Sequence, residues 1–220
     1  MNRLRVLLIN PNTSVATTDM MARLARAALP PGIDLDVATA RRGAAMITTE
    51  AELLVAEHEV LALGLARAAD FDALVVSAFG NPGLAGLRAA VPCPVIGIGE
   101  ASLLEAALGG RRFGVATTTP GLEDSIAQSV RGLGLAASFT GTRIPPGDPL
   151  ALAAQPAVQV ERLADAVRAC VQEDGAQAVV IGGGPLAEAA DQLGRQFQVP
   201  VISPVAAAMR QATALLSTVA

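Results

Sequence analysis

One pattern occurs twice in this chain of 220 residues: a short uncharged apolar run followed directly by a glycine-rich turn. The first copy is ALVV at residues 73–76 before SAFGNPG, and the second is AVVI at residues 178–181 before GGGP. Strands without charged residues are typical of parallel sheets that are covered by helices on both faces. Because about 105 residues separate the two copies, the pattern predicts a chain built from two similar α/β halves.

The other elements repeat at nearly the same offset. The sequence predicts strands at residues 4–9, 35–38, 73–76, 95–98, 113–116, 136–143, 178–181 and 199–202. Segments with the apolar spacing of helices lie between most of these strands. We therefore predict two lobes related by a pseudo-twofold axis, residues 1–108 and 109–220, each a parallel four-stranded sheet flanked by helices. A C-terminal helix can cross over between the lobes. The carboxyl ends of the strands would face a common cleft, where open α/β sheets bind ligands.

Composition narrows the class of protein. Apolar residues make up 52% of the chain and charged residues 16%, as in a globular domain. A net charge of −4, without Trp or Tyr, argues against nucleic acid as a partner. No apolar run approaches the ~20 residues of a membrane span, and the start of the chain is unlike a signal peptide. We expect a cytoplasmic protein with no membrane partner.

The residues that bind metals or form disulfides are few. One His, His58, and no Cys/His/Asp/Glu cluster at ligand spacing predict no metal site. Cys93 precedes a predicted strand and Cys170 lies in a predicted helix, so we expect both to be unbridged and to pack as small hydrophobic residues.

Six short motifs are spread over nearly the whole chain. They are INPNTS at 9–14, the loop 43–49, AFGNPGL at 78–84, PVIGIGEA at 94–101, GVATT at 114–118 and IGGGPLA at 181–187. Together they resemble the aspartate/glutamate/hydantoin racemase superfamily, in particular its hydantoin and allantoin racemase branch. The resemblance implies an isomerase that uses no cofactor, a small carboxylate or cyclic amide as substrate, and a homo-oligomer.

The chain departs from that family at the two positions that carry its chemistry. Family members place two cysteines on opposite faces of the substrate Cα, where one removes a proton and the other returns one. Such an inversion needs two groups in opposite protonation states within reach of the carbon. Here the matching positions are Ala78 and Gly183, and neither accepts a proton. The flanking residues differ as well, which favours natural divergence over a designed substitution.

Other polar groups are predicted to surround the ligand. The resemblance and the nest formed by glycine N–H groups predict substrate binding by Asn10, Thr13, Ser77, Gly80, Asn81, Thr117, Thr118, Gly182 and Gly184. Helix capping is the alternative role for Thr13 and Thr118. Glu100 follows a strand, so it is a candidate substitute base if burial raises its pKa. The alternative is a carboxylate that stabilises the first turn of its helix.

Three functions remain open from the sequence. The first is an isomerase acting at the carbon next to a carbonyl with a base other than a thiol. The second is a small-molecule binding protein that kept the pocket without catalysis. The third is a divergent hydrolase or lyase of the same fold. Arg41 and Arg42, before the loop 43–49, either contact an anionic substrate or are solvated, and His58 fits a solvated helix face among glutamates.

Overall fold

The computed structural model describes residues 3–218. The strands are β1 (Leu4–Asn10), β2 (Ile33–Thr39), β3 (Ala73–Val76), β4 (Val95–Gly97), β5 (Phe113–Ala116), β6 (Phe139–Arg143), β7 (Ala178–Ile181) and β8 (Val201–Ile202). The α-helices are α1 (Val15–Ala28), α2 (Glu50–Arg67), α3 (Leu84–Ala90), α4 (Ile98–Ala106), α5 (Glu123–Gly132), α6 (Pro149–Ala153), α7 (Pro156–Gln172), α8 (Ala187–Leu193) and α9 (Pro204–Ser217). Short 3-10 turns span Ala68–Asp70, Leu108–Gly110, Pro120–Leu122 and Gly184–Leu186.

The strands form two parallel sheets with the same strand order. One sheet runs β2-β1-β3-β4 and the other runs β6-β5-β7-β8. In the first, Val6 of β1 is opposite Ala73 of β3; in the second, Phe113 of β5 is opposite Ala178 of β7. Every residue of β3 and β7 is buried. The predicted α/β class with two lobes of four parallel strands is therefore confirmed.

The two lobes share a hydrophobic core. One cluster of buried side chains joins Val6 and Val75 of the first sheet to Phe113 and Val180 of the second. Helices cross between the lobes: α9 packs on α1, α4, β3 and β4, while α4 packs on β7 and β8. The exact boundary at residues 108 and 109 remains a prediction, but these contacts show that each lobe packs a helix against the other.

Two local expectations differ from the structure. Helix α6 begins at Pro149, in a stretch for which the sequence predicted no helix; the Asp148 side chain accepts a hydrogen bond from Ala151 N at 2.8 Å, and Pro149 occupies the first helical position. An Asp cap followed by Pro is a helix start signal. Strand β6 begins at Phe139 rather than 136, since a turn closes from Ser138 N to Leu135 O. Across residues 3–218, none of the helices combines the length and apolar character that a membrane crossing needs.

Candidate active site

A cleft lies where the carboxyl ends of the central strands of both lobes meet. The turns after β3 and β7 are in direct contact, because a β-carbon built on Gly184 would lie 2.9 Å from the carbonyl oxygen of Ser77. The cleft is lined by Asn12, Met46, Ile47, Leu53, Ser77, Ala78, Phe79, Gly80, Thr118, Thr119, Leu122, Gly182, Gly183, Gly184, Pro185 and Leu186.

Ala78 and Gly183 both line this cleft, one from each lobe. The backbone of Gly183 is extended, with φ 168°, which any residue adopts. A β-carbon there would lie 3.2 Å from Leu186 Cγ, so a small shift of that side chain would make room. The backbone of Gly183 therefore does not require glycine, and a side chain with a functional group could be accommodated.

The turn after β5 presents a hydroxyl without a partner. Thr118 is fully buried and lines the cleft, and its Oγ1 forms no hydrogen bond within residues 3–218. Thr117 Oγ1 donates to Gly182 O at 2.7 Å and lies 3.0 Å from Thr119 Oγ1. A buried hydroxyl without a partner costs about 1–3 kcal/mol. Thr118 is thus the group in this turn that a ligand would satisfy.

The polar groups of the turn after β1 hydrogen-bond to one another and to the start of α1. Asn10 Nδ2 donates to Asn12 Oδ1 at 2.8 Å and to Thr18 Oγ1 at 2.9 Å, and Asn10 is fully buried. Thr13 N donates to Ala44 O at 3.0 Å, and Ser14 caps α1 through Thr17 N. The structure therefore places Asn10 and Thr13 outside the cleft lining, unlike the sequence prediction, while Asn12 lines it.

The remaining predicted binding residues divide into two groups. Ser77 and Gly80 line the cleft beside Ala78, and Gly182 and Gly184 line it from the other lobe. Ser77 Oγ donates to Ile9 O at 2.8 Å, so this hydroxyl is already engaged. Thr117 is engaged in the same way and lies outside the cleft lining.

Asn81 shapes the turn after β3 and does not line the cleft. It adopts a left-handed conformation, with φ 49°, which Asn tolerates better than most residues. Its Oδ1 accepts a hydrogen bond from Gly99 N at 3.1 Å. Asn81 Oδ1 is thus engaged with the first turn of α4, and its contact with the ligand stays a prediction.

Glu100 differs most from its expected position. Both of its carboxylate oxygens accept hydrogen bonds from Arg88, at 2.9 Å and 2.8 Å. The residue lies in the first turn of α4 and is absent from the cleft lining. Because its carboxylate is occupied by Arg88 and the residue does not line the cleft, we do not assign Glu100 the role of substitute base. The helix-stabilising alternative fits the structure.

The two cysteines lie away from the cleft. Cys170 is fully buried in α7, and burial raises the pKa of its thiol to about 12. Cys93 precedes β4 at the amino end of the first sheet, and burial raises its thiol pKa as well. Both are free cysteines, as predicted. Neither forms a thiolate readily near neutral pH. In the described part of the chain, no three His, Cys, Asp or Glu side chains are grouped so as to hold a metal ion.

The cleft offers polar groups that bind but none that titrates near neutral pH. All described lining residues are Asn, Met, Ile, Leu, Ser, Ala, Phe, Thr, Gly or Pro. Within residues 3–218, the amide N–H groups of Gly80, Thr118 and Thr119 make no hydrogen bond to the protein. An apolar part of the lining comes from both lobes, from the side chains of Met46, Ile47, Leu53, Leu122 and Leu186. The sequence interpretation missed this apolar part and Asn12, although both lie within or beside the quoted motifs.

Comparison with known proteins gives the family. The Asp/Glu/Hydantoin racemase family matches residues 6–212. This chain belongs to that family, which confirms the resemblance inferred from the sequence.

Curated relatives and solved structures agree with this assignment. A hydantoin racemase of Paenarthrobacter aurescens is 31% identical over 216 residues, which cover 97% of this chain and 92% of that protein. The structure of an allantoin racemase from Klebsiella pneumoniae matches with a TM-score of 0.93 and 31% identity, covering 98% of this chain and 88% of the other. The glutamate racemase RacE1 of Bacillus anthracis shares the fold, with a TM-score of 0.71 at 14% identity, covering 99% of this chain and 83% of its own. These relatives are racemases by name, and racemases are isomerases.

Proposed function

We propose that the cleft binds a small cyclic amide of the hydantoin type, and that this binding, without side-chain proton transfer, is the function of the protein. The observation that carries the proposal is Thr118, a residue that lines the cleft and whose buried hydroxyl has no partner in residues 3–218. A buried polar group without a partner is costly, so a ligand acceptor there would be stabilising. The Asn12 side chain and the amide N–H groups of Gly80 and Thr119 add donors nearby.

The chemistry of the lining favours a neutral ring over a carboxylate. A hydantoin ring presents carbonyl oxygens as acceptors, and these match the donors around Thr118. A free carboxylate in this cleft would have no cationic partner among the described lining residues. Burying an unpaired charge costs more than burying a neutral amide that is hydrogen-bonded. A carboxylate bound only by N–H groups is therefore the weaker candidate.

The same lining argues against a two-base reaction. Inversion of a carbon centre by proton transfer needs an acid and a base on opposite faces. Ala78 and Gly183, at the positions that the resemblance gives to the two cysteines, carry no such groups. No other described lining residue has a side chain that exchanges protons near neutral pH. Binding is the function that these residues can perform unaided.

Racemase or isomerase chemistry at the carbon next to a carbonyl is the second candidate. One observation favours it: hydantoin and allantoin racemases match this chain over almost its whole length. In that case the proton acceptor and donor would be water molecules in the cleft, because the described lining side chains supply neither.

Incubation in D₂O separates the two candidates. Hydantoin, 5-benzylhydantoin, allantoin, aspartate and glutamate are each added to the purified protein, and exchange at the carbon next to the carbonyl is followed by NMR. Binding predicts a rise in Tm with at least one cyclic amide and no deuterium incorporation above the protein-free rate. At a ligand concentration of 100 times Kd, the stabilisation is about 2.7 kcal/mol.

The outcomes are distinct. Deuterium incorporation above the protein-free rate would replace the binding proposal with the isomerase candidate. A Tm that none of the compounds moves would reject hydantoin-type binding altogether. If aspartate or glutamate raises Tm and the cyclic amides do not, the ligand class is a carboxylate.

A double substitution tests the cleft positions themselves. Ala78→Cys together with Gly183→Cys restores two thiols, and we expect it to racemise one enantiomer of a 5-substituted hydantoin, such as 5-benzylhydantoin, faster than the protein-free rate. Each single variant is the matched control: its one thiol can exchange the proton on one face of the carbon but cannot invert the centre, so racemisation should stay at the protein-free rate. A double variant that folds, binds the ligand and gives no racemisation would contradict the assignment of these positions to opposite faces of the ligand.

A further inference from the structure

The chain between β2 and α2 forms part of the cleft wall. Met46 and Ile47 of this segment line the cleft, together with Leu53 of α2. The segment also touches the other lobe, because a β-carbon built on Gly121 would lie 2.6 Å from the carbonyl oxygen of Thr48. A stretch outside helices and strands thus bridges both lobes beside the ligand cleft. We refer to residues 41–48 as the cover segment.

The start of the cover segment is held by one buried carboxylate. Glu59 of α2 has only 7% of its surface exposed. Its Oε2 accepts hydrogen bonds from the backbone N–H of Arg41 at 3.0 Å and of Arg42 at 3.3 Å. Its Oε1 accepts one from Arg42 Nε at 2.9 Å. All the donors that Glu59 has within residues 3–218 therefore come from the cover segment.

The end of the cover segment is held by a second carboxylate of the same helix. Glu52 Oε2 accepts from Thr48 N at 2.7 Å, from Thr48 Oγ1 at 3.0 Å and from Thr49 N at 3.0 Å. Thr49 Oγ1 in turn accepts from Glu52 N, which completes a capping box at the start of α2. Helix α2 thereby anchors both ends of the segment that carries Met46 and Ile47.

We propose that Glu59 and Glu52 are positioning residues that hold the cover segment closed over the cleft, and that a ligand enters when the Glu59 end is released. Releasing this end breaks all three hydrogen bonds that Glu59 accepts, two from backbone N–H groups and one from Arg42 Nε. Opening is therefore a discrete step rather than a gradual drift. The Glu52 end is expected to stay in place, since its bonds also begin the helix. The proposal rests on the cleft being the ligand site.

A thiol in the cleft reports on this opening without any ligand. Ala78→Cys places a thiol in the cleft at a half-buried position, and its reaction with a bulky thiol reagent, too large for the closed cleft, is followed by mass spectrometry. Cys170 in the same molecule is fully buried in the core and reports on global unfolding. The signal of Cys93, half-buried, is measured separately in the protein without the substitution.

Glu59→Gln in the reporter background removes the charge but keeps the size of the side chain. We expect labelling at position 78 to become about tenfold faster or more, because hydrogen bonds to a charged group are among the stronger ones. Labelling of Cys170 should not rise in parallel. Glu57→Gln on the same helix is the matched control, because Glu57 holds no part of the cover segment, and it should leave both rates unchanged.

The results sort into clear outcomes. An unchanged rate at position 78 in Glu59→Gln would overturn the proposal. A parallel increase at position 78 and at Cys170 would also overturn it, since Glu59 would then only stabilise the fold. Hydrogen exchange of residues 41–48 provides the second measurement: faster exchange there in Glu59→Gln than in Glu57→Gln is expected.

Labelling in the presence of hydantoin distinguishes a failure of this proposal from a failure of the proposed function. Saturating hydantoin should slow labelling at position 78 in the reporter protein. If Glu59→Gln accelerates labelling and hydantoin gives no protection, the cover segment acts as proposed and hydantoin is the wrong ligand. If hydantoin protects and Glu59→Gln has no effect, the ligand assignment stands and the positioning role fails.

Discussion

The turns after β1 and β5 occupy the same place in the two lobes but use their polar groups differently. In the N-terminal lobe, the Asn10 amide donates to Asn12 and Thr18, so the polar groups bind one another. In the C-terminal lobe, Thr118 keeps a buried hydroxyl without a partner at the cleft. The same scaffold therefore stabilises itself in one lobe and offers a ligand contact in the other.

The hydrogen bond that joins neighbouring turns shows the same division of roles. In the N-terminal lobe the donor follows β3, where Ser77 Oγ donates to Ile9 O of β1. In the C-terminal lobe the donor follows β5, where Thr117 Oγ1 donates to Gly182 O after β7. Each lobe has one such bond, but its direction is reversed: the donor follows β3 in the N-terminal lobe and follows β5, the counterpart of β1, in the C-terminal lobe. A repeat in backbone topology thus does not require a repeat in side-chain roles.

The largest difference between the lobes is expected at Gly99 and Pro204, which lie in the first turns of α4 and α9. A β-carbon on Gly99 would lie 1.9 Å from the carbonyl oxygen of Phe79, so backbone would have to move. We expect Gly99→Ala to lower the free energy of unfolding by about 3 kcal/mol or more. Denaturant unfolding measures this change.

The matched control at the other lobe is Pro204→Ala, which leaves the first turn of α9 without strain and should cost less than about 1 kcal/mol. Equal midpoints for Gly99→Ala and the parent protein would show that the turn after β3 adapts to the side chain. The close contact between Gly99 of α4 and the carbonyl oxygen of Phe79 would then not limit the size of the side chain at position 99.

The second prediction concerns Asn10, the centre of the N-terminal turn. Asn10→Ala leaves its partners Asn12 and Thr18 without their donor, and we expect a loss of about 2–3 kcal/mol in the free energy of unfolding. Thr117→Val, at the equivalent position of the other lobe, removes one hydroxyl bond and should cost about 1 kcal/mol. A larger loss for Thr117→Val than for Asn10→Ala would reverse the comparison between the turns.

The repeat and the uncharged strands were sufficient to predict the two sheets, because strand pattern and offset depend on local sequence. They were also sufficient to place Ala78 and Gly183 in one cleft, since the carboxyl ends of parallel strands meet. The sequence could not tell which polar side chains face the ligand. Asn10 and Thr118 both follow a strand, and only the three-dimensional contacts separate a closed network from an unpartnered hydroxyl.

Glu100 illustrates the other limit. Its place after β4 predicted a cleft position, but the partner that occupies its carboxylate, Arg88, comes from α3 and is invisible to a reading of the strand ends. The apolar part of the lining was missed for a similar reason. Met46 and Ile47 reach the cleft because Glu52 and Glu59, later in the chain, anchor their segment. Contacts between separate elements decide such positions.

The third prediction separates binding from folding. Thr118→Val replaces a buried hydroxyl that has no partner by a methyl group of similar size, so we expect no loss in the free energy of unfolding. Affinity for the cyclic amide should fall about tenfold, which corresponds to about 1.4 kcal/mol. Calorimetric titration with hydantoin measures the affinity. Thr117→Val is the control and should show the converse, a lower stability with an almost unchanged Kd.

The smallest effect is expected in the response to acid, where the lobes again differ. Backbone N–H groups of Thr48 and Arg41 hold the pKa values of Glu52 and Glu59 below the ordinary 4.5. In the C-terminal lobe the Arg143 side chain lowers the pKa of Asp174 from the ordinary 3.8. For each carboxyl the unfolded chain binds its proton first as the pH falls. The contribution to stability is therefore complete above the ordinary pKa and is lost as the pH drops through the folded value.

Urea unfolding at several pH values tests this difference. Glu59→Gln should flatten the fall in stability below about pH 4.5, since the titrating group is gone. Asp174→Asn should flatten it only below about pH 3.8, because the unfolded aspartate titrates later. Added salt should weaken the Arg143–Asp174 contribution more than that of Glu59, because a partly exposed guanidinium is the main cause at Asp174, whereas a backbone N–H group is the main cause at Glu59. Identical acid profiles for the two variants would remove this distinction between the lobes.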